Sequence, residues 1–267
     1  MVEWVELKWS KKDNWRYVAI AKRAINPYKP VRLIPTSKVR SAAHRSILVR
    51  PISVEEQEVK IKEHVVMYNP RYPVFGISIA HELAHAKTDE MGYFCLPLLT
   101  GSAAEEYERS WTWIDEHYAY STLAEHDELL LEFEVMIKVG LLWHVDPLST
   151  YDLWTTRGVA TLIHDLSQLA LFELWSVSMH PTISEKLEEV QSRWAPLFAA
   201  YPNLEAHKEL IKYVLSNLPP RERLTRDQYL EAGLDILYSK YITRKNTTVS
   251  RDEYRRQAAR IVKKVTA

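Results

Sequence analysis

The sequence predicts an α+β protein: a small twisted sheet bearing an active-site helix, followed by a mostly helical C-terminal half. Three observations lead there. Strand-like runs are confined to the first quarter of the chain. An apolar helical segment with histidines at positions 81 and 85 directly follows the clearest of those runs. Beyond residue 101, helix start signals recur and strand signals cease.

Residues 2–9 are rich in β-branched and aromatic side chains and read as a short strand. In 14–25, Trp15, Val18, Ala21 and Ile25 recur at helical spacing and stop before Pro27. Two short apolar runs bounded by prolines, 31–34 and 47–49, read as strands. Segment 58–68 alternates most clearly, with Val59, Ile61, Val65 and Met67 on one face and Lys60, Lys62 and His64 on the other. Segment 74–91 follows Pro70 and Pro73, reads as a buried helix, and ends at Gly92, the usual left-handed terminator. After a linker through Pro97 and Gly101, Ser102-x-x-Glu105, Thr122-x-x-Glu125, Thr182-x-x-Glu185, Thr225-x-x-Gln228 and Ser250-x-x-Glu253 match the capping box. They place helix starts near 103, 123, 183, 226 and 251, with further helices over 151–179 and 204–218. The expected division is 1–146 for the motif-bearing domain and 147–267 for a helical domain, with the boundary near Asp146-Pro147.

Composition narrows the function. The chain has six glycines and neither a GxGxxG nor a GxxxxGK[ST] pattern, so a nucleotide cofactor is not expected. Its one cysteine, Cys95, has no partner for an internal disulfide, and the first residues lack a basic region followed by an apolar run. No uninterrupted apolar run reaches bilayer length. The expectation is a cytoplasmic protein with no membrane contact. The zero net charge hides an asymmetry: 1–50 carry twelve basic residues against three acids, 88–136 one against twelve, and 240–267 nine against two. The acidic block can line a cleft that favours basic peptides or form a solvated face, and the basic ends allow a nucleic-acid contact.

The chemistry concentrates in His81-Glu82-Leu83-Ala84-His85. Histidines four apart on a helix share a face and can fill two corners of a tetrahedral zinc site. Glu82, beside His81, is placed to act as general base on an attacking water and then as proton donor to the leaving amine. A strand directly before this helix, here 58–68, would serve as an edge for an extended peptide. HELAH resembles the zincin metallopeptidases, and the order of elements over 14–145 resembles the small soluble gluzincins (minigluzincins). The resemblance implies a zinc-dependent peptidase with His81 and His85 as ligands, Glu82 as catalytic base and a glutamate on the following helix as third ligand. The metzincin extension is excluded by Thr88 and Met91. For the third ligand, Glu108 is preferred because it shares an inward ridge with Ala104 and Trp111; Glu106, Glu128 and Glu132 remain open. Tyr118, with His117 and Tyr120, follows that helix and is the candidate for stabilising the oxyanion.

Other classes predict different features. A di-iron bundle would need a second Glu-x-x-His, and none precedes His117, His126, His144 or His164. A nucleic-acid-binding or adaptor protein with a structural or vestigial zinc would use the basic segment from Ser250, with Arg251, Arg255, Arg256 and Arg260 facing phosphates. A latent peptidase, its cleft covered by the helical half, is the third variant.

Overall fold

The computed structural model describes residues 9–49, 60–92, 102–130, 156–176 and 181–245. Over these the chain is mixed α+β and mostly helical, with one three-stranded sheet. The segments 2–8, Cys95, Glu132, His144, the boundary near 146 and the basic segment from Ser250 lie outside them. No described helix is long and apolar enough to cross a membrane. Two compact units form: Met1–Phe94 with Tyr118–Phe133, and Cys95–His117 with Glu134–Ala267.

In the first unit, helix α1 (Lys11–Ile25) starts at a capping box between Ser10 and Asp13 and ends at Asn26, whose φ of 45° is left-handed. Its buried stripe is Asn14, Tyr17, Val18, Ala21 and Ile25, a helical repeat that faces α2 (Phe75–Met91). The Tyr17 hydroxyl donates to the Leu129 carbonyl at 3.2 Å. Strands β1 (Val31–Pro35), β2 (Ala42–Leu48) and β3 (Ile61–Tyr68) order as β1-β3-β2, with β1 parallel and β2 antiparallel to β3.

Several expectations change here. The third strand is central, with both edges paired, so it cannot serve as the edge that accepts a peptide. The strand expected at 47–49 is longer, beginning at Ala42, because pairing with β3 recruits residues of low intrinsic strand preference. The face of β3 that carries His64 is not a polar surface: His64 and Val66 are fully buried, since α2 packs on β2 and β3.

Helix α2 has no local side-chain cap at its start; Val74 offers none. The Asn14 side chain of α1 does the work instead. Its Oδ1 accepts from the Gly76 amide at 2.6 Å, and its Nδ2 donates to the Pro73 carbonyl at 3.0 Å. A Cβ on Gly76 would lie 2.5 Å from the Asn14 carbonyl oxygen, so only glycine permits this approach. At the other end Gly92 terminates α2 in extended backbone (φ 170°), not in the left-handed conformation expected.

Helix α3 (Ser102–Ala124) runs unbroken through Thr122, so Thr122-x-x-Glu125 marks no helix start. A capping residue needs extended backbone, and Thr122 is a buried residue in the last helical turn. A short 3₁₀ turn, Asp127–Leu129, follows.

The second unit holds α4 (Thr156–Ser176), α5 (Pro181–Ala200), α6 (Pro202–Ser216) and α7 (Arg226–Lys245). The expected capping box at Thr225 forms: its hydroxyl accepts from the Gln228 amide at 3.2 Å, and the Gln228 side chain accepts the Thr225 amide at 3.0 Å. Buried Glu173 on α4 accepts from Lys208 and Lys212 of α6, each at 2.8 Å, and from Gln191 of α5 at 3.0 Å. Trp111, fully buried, donates to the Tyr229 carbonyl at 3.1 Å.

Candidate metal centre

Helix geometry sets the first arrangement. His81 and His85 lie on one face of α2, half-buried, while Ala80, Leu83 and Ala84 are fully buried. The two Nε2 atoms converge to 3.1 Å, with ring centroids 4.8 Å apart. Two imidazoles on a tetrahedral zinc with bonds of about 2.0–2.1 Å would have nitrogens about 3.3 Å apart, so this pair fits the ion. Glu82 is half-buried on the same turn.

The Tyr120 ring packs against His81 at 5.3 Å. Tyr118 is also buried, but it lies two residues away, about 200° round the helix. Glu116 stands one turn before Tyr120 on the same unbroken helix. The preferred Glu108 and its alternative Glu106 lie in α3, their side chains outside the described residues, and Glu128 is exposed on the 3₁₀ turn. His117 stacks on Trp175 at 5.2 Å, and burial pulls it down to about 4.

A second group was not anticipated at all. On β2 and β3 the register pairs Ser46 with His64 and His44 with Val66, which puts His44, Ser46 and His64 on one face. His44 Nε2 lies 3.0 Å from His64 Nδ1, and Ser46 Oγ lies 3.0 Å from that same nitrogen. Ser46 donates to Asp89 at 2.5 Å, and Asp89 Oδ2 is 3.9 Å from His44 Nδ1. On the far side, His64 Nε2 faces Glu90 Oε1 at 3.4 Å. The Glu90 carboxylate is itself fixed by the Tyr28 and Lys29 amides at 2.7 and 2.5 Å. Burial first, then His85 and His64 nearby, hold His44 down to about 3; burial also lowers His64, against the pull of Glu90.

Comparison with known proteins matches the chain to no family, no curated protein and no solved structure.

Proposed function

We propose that this protein is a zinc-dependent peptidase of the zincin type, with His81 and His85 as ligands of the ion and Glu82 as catalytic base. The observation that carries the reading is the convergence of the His81 and His85 Nε2 atoms at 3.1 Å on α2, with the Glu82 carboxylate beside the pair on the same turn. Zinc bound there would acidify a water molecule and polarise the scissile carbonyl. Glu82 would accept a proton from the attacking water and pass it to the departing amine. Tyr120 packs edge-on against the His81 ring at 5.3 Å and is the tyrosine in contact with the pair.

Substrate binding falls to β2. Among the described strands it is an edge, it packs beside α2, and an extended peptide would add to it through main-chain hydrogen bonds.

The test is cleavage of casein and of fluorogenic peptides by the full chain, with bound zinc counted alongside. Glu82→Gln should lower the rate at least about a hundredfold while zinc stays bound, the range for loss of a positioned base. A chelator should stop the wild-type reaction. Cleavage that survives both treatments would remove the proposal.

A further inference from the structure

We propose that His44, His64 and Asp89 form a second divalent-cation site, separate from the His81–His85 pair, which clamps the edge strand β2 and the central strand β3 to the end of α2. The inference goes beyond the peptidase reading and does not rest on it.

Counting protons leads to a cation. His64 Nε2 faces the Glu90 carboxylate, so that nitrogen carries the ring proton and Nδ1 is left as an acceptor. This Nδ1 points at His44 Nε2 and at Ser46 Oγ, both at 3.0 Å. The Ser46 proton is already committed to Asp89 at 2.5 Å. His44 then has two choices. A proton on Nε2 satisfies His64 but leaves the Nδ1 lone pair towards Asp89; a proton on Nδ1 sets two lone pairs against each other at 3.0 Å. A doubly protonated ring would resolve the conflict, but the His44 side chain is 8 % exposed and that of His64 0 %, which disfavours a protonated ring. One ligand-capable atom each from His44, His64 and Asp89 thus converges on one spot, where either tautomer of His44 serves one neighbour at the expense of the other. A divalent cation satisfies them together.

The geometry agrees. One ligand atom from each of His44, His64 and Asp89 lies within 4.8 Å of the others. The 3.0 Å between the imidazole nitrogens is near the edge of about 3.3 Å expected for two ligands on a tetrahedral zinc. Glu90 supplies the carboxylate that typically fixes the outer nitrogen of a metal-bound histidine, and two backbone amides hold that carboxylate in turn. Two imidazoles and one carboxylate suit zinc or another divalent transition ion, not calcium or magnesium.

The experiment counts metal. Full-length protein is stripped with a chelator, reloaded with Zn²⁺ or Co²⁺, passed through gel filtration and assayed by elemental analysis, with circular dichroism confirming the fold. Wild type should hold two ions per chain. His44→Asn and Asp89→Asn should each hold one, as should His81→Asn, and the His44→Asn/His81→Asn pair none. Asp89→Asn keeps the side chain's shape and its hydrogen bond from Ser46, so it decides the matter if His44→Asn does not fold. One ion in wild type, lost in His81→Asn but kept in Asp89→Asn, overturns this site and leaves the peptidase reading intact. One ion lost in Asp89→Asn but kept in His81→Asn does the reverse. No bound ion overturns both.

Discussion

Gly76→Ala tests how the motif helix is held. The new Cβ would stand 2.5 Å from the Asn14 carbonyl oxygen and 2.9 Å from its Cα, both backbone atoms that cannot rotate away. Ordinary contact needs about 3.4 Å or more, so α1 and α2 must part by about 0.9 Å. Parting stretches the 2.6 Å bond from the Gly76 amide to Asn14 and strands a side chain that is only 1 % exposed. Overpacking costs about 1–3 kcal/mol and the weakened buried bond about 1 more. Alanine's better helix preference returns about 1 kcal/mol. The net expectation is a loss of about 2 kcal/mol, read as a lower urea midpoint at unchanged slope. Asn14→Ala alone should also destabilise. The double variant should lose less than the sum, because the strained bond is already gone. A Gly76→Ala protein as stable as wild type, or about 1 kcal/mol more stable, would show that the helix backbones do not meet at this point.

Other outcomes follow from buried contacts of the second unit. Glu173→Gln should cost about 3 kcal/mol at neutral pH, because Lys208, 6 % exposed, keeps its charge without a full partner. Burial opposes ionisation of Glu173, but the hydrogen bonds from Lys208 and Lys212 outweigh it and hold the carboxyl below its ordinary 4.5. Its stabilisation is thus complete above pH 4.5 and fades as pH falls through the lowered folded-state value, so the melting gap between wild type and variant should narrow in acid; a constant gap from neutral to acid pH would contradict the ion cluster. Gly233→Ala would put a Cβ 2.1 Å from the buried Trp111 ring and should cost about 3 kcal/mol in urea unfolding, and a neutral result would deny that contact.

What could be read from the chain was what a single helix or strand decides for itself. The Val18, Ala21 and Ile25 part of the α1 stripe, the span of α2, the His81–His85 pairing and the Thr225 cap depend on residues three or four apart, and local geometry fixes them; Trp15, expected in that stripe, is exposed, and Asn14 and Tyr17 are buried instead. What escaped depends on partners distant in sequence. Ala42-Ala43-His44-Arg45-Ser46 has little strand preference, and only pairing with β3 makes it β2. His64 sits in an alternating pattern that suggested solvent on one side, yet α2 covers that side. Thr122 carries a start signal that the continuing helix overrides.

The same distinction explains the two histidine groups. On α2, His81, His85 and Asp89 recur every four residues along one face, and α2 therefore contributes to both. For the first group that spacing brings two imidazoles together outright, so a sequence motif suffices to reveal it. For the second it supplies one carboxylate, and the imidazoles come from strands whose register is set by a sheet. Only the register of β2 on β3 brings those imidazoles beside the Asp89 carboxylate. A change that slips β2 by one residue would turn His44 and Ser46 to the opposite face and separate them from Asp89, while leaving His81 and His85 on their own helix undisturbed. The integrity of the first group thus depends on α2 and its hold on α1, and that of the second on strand pairing.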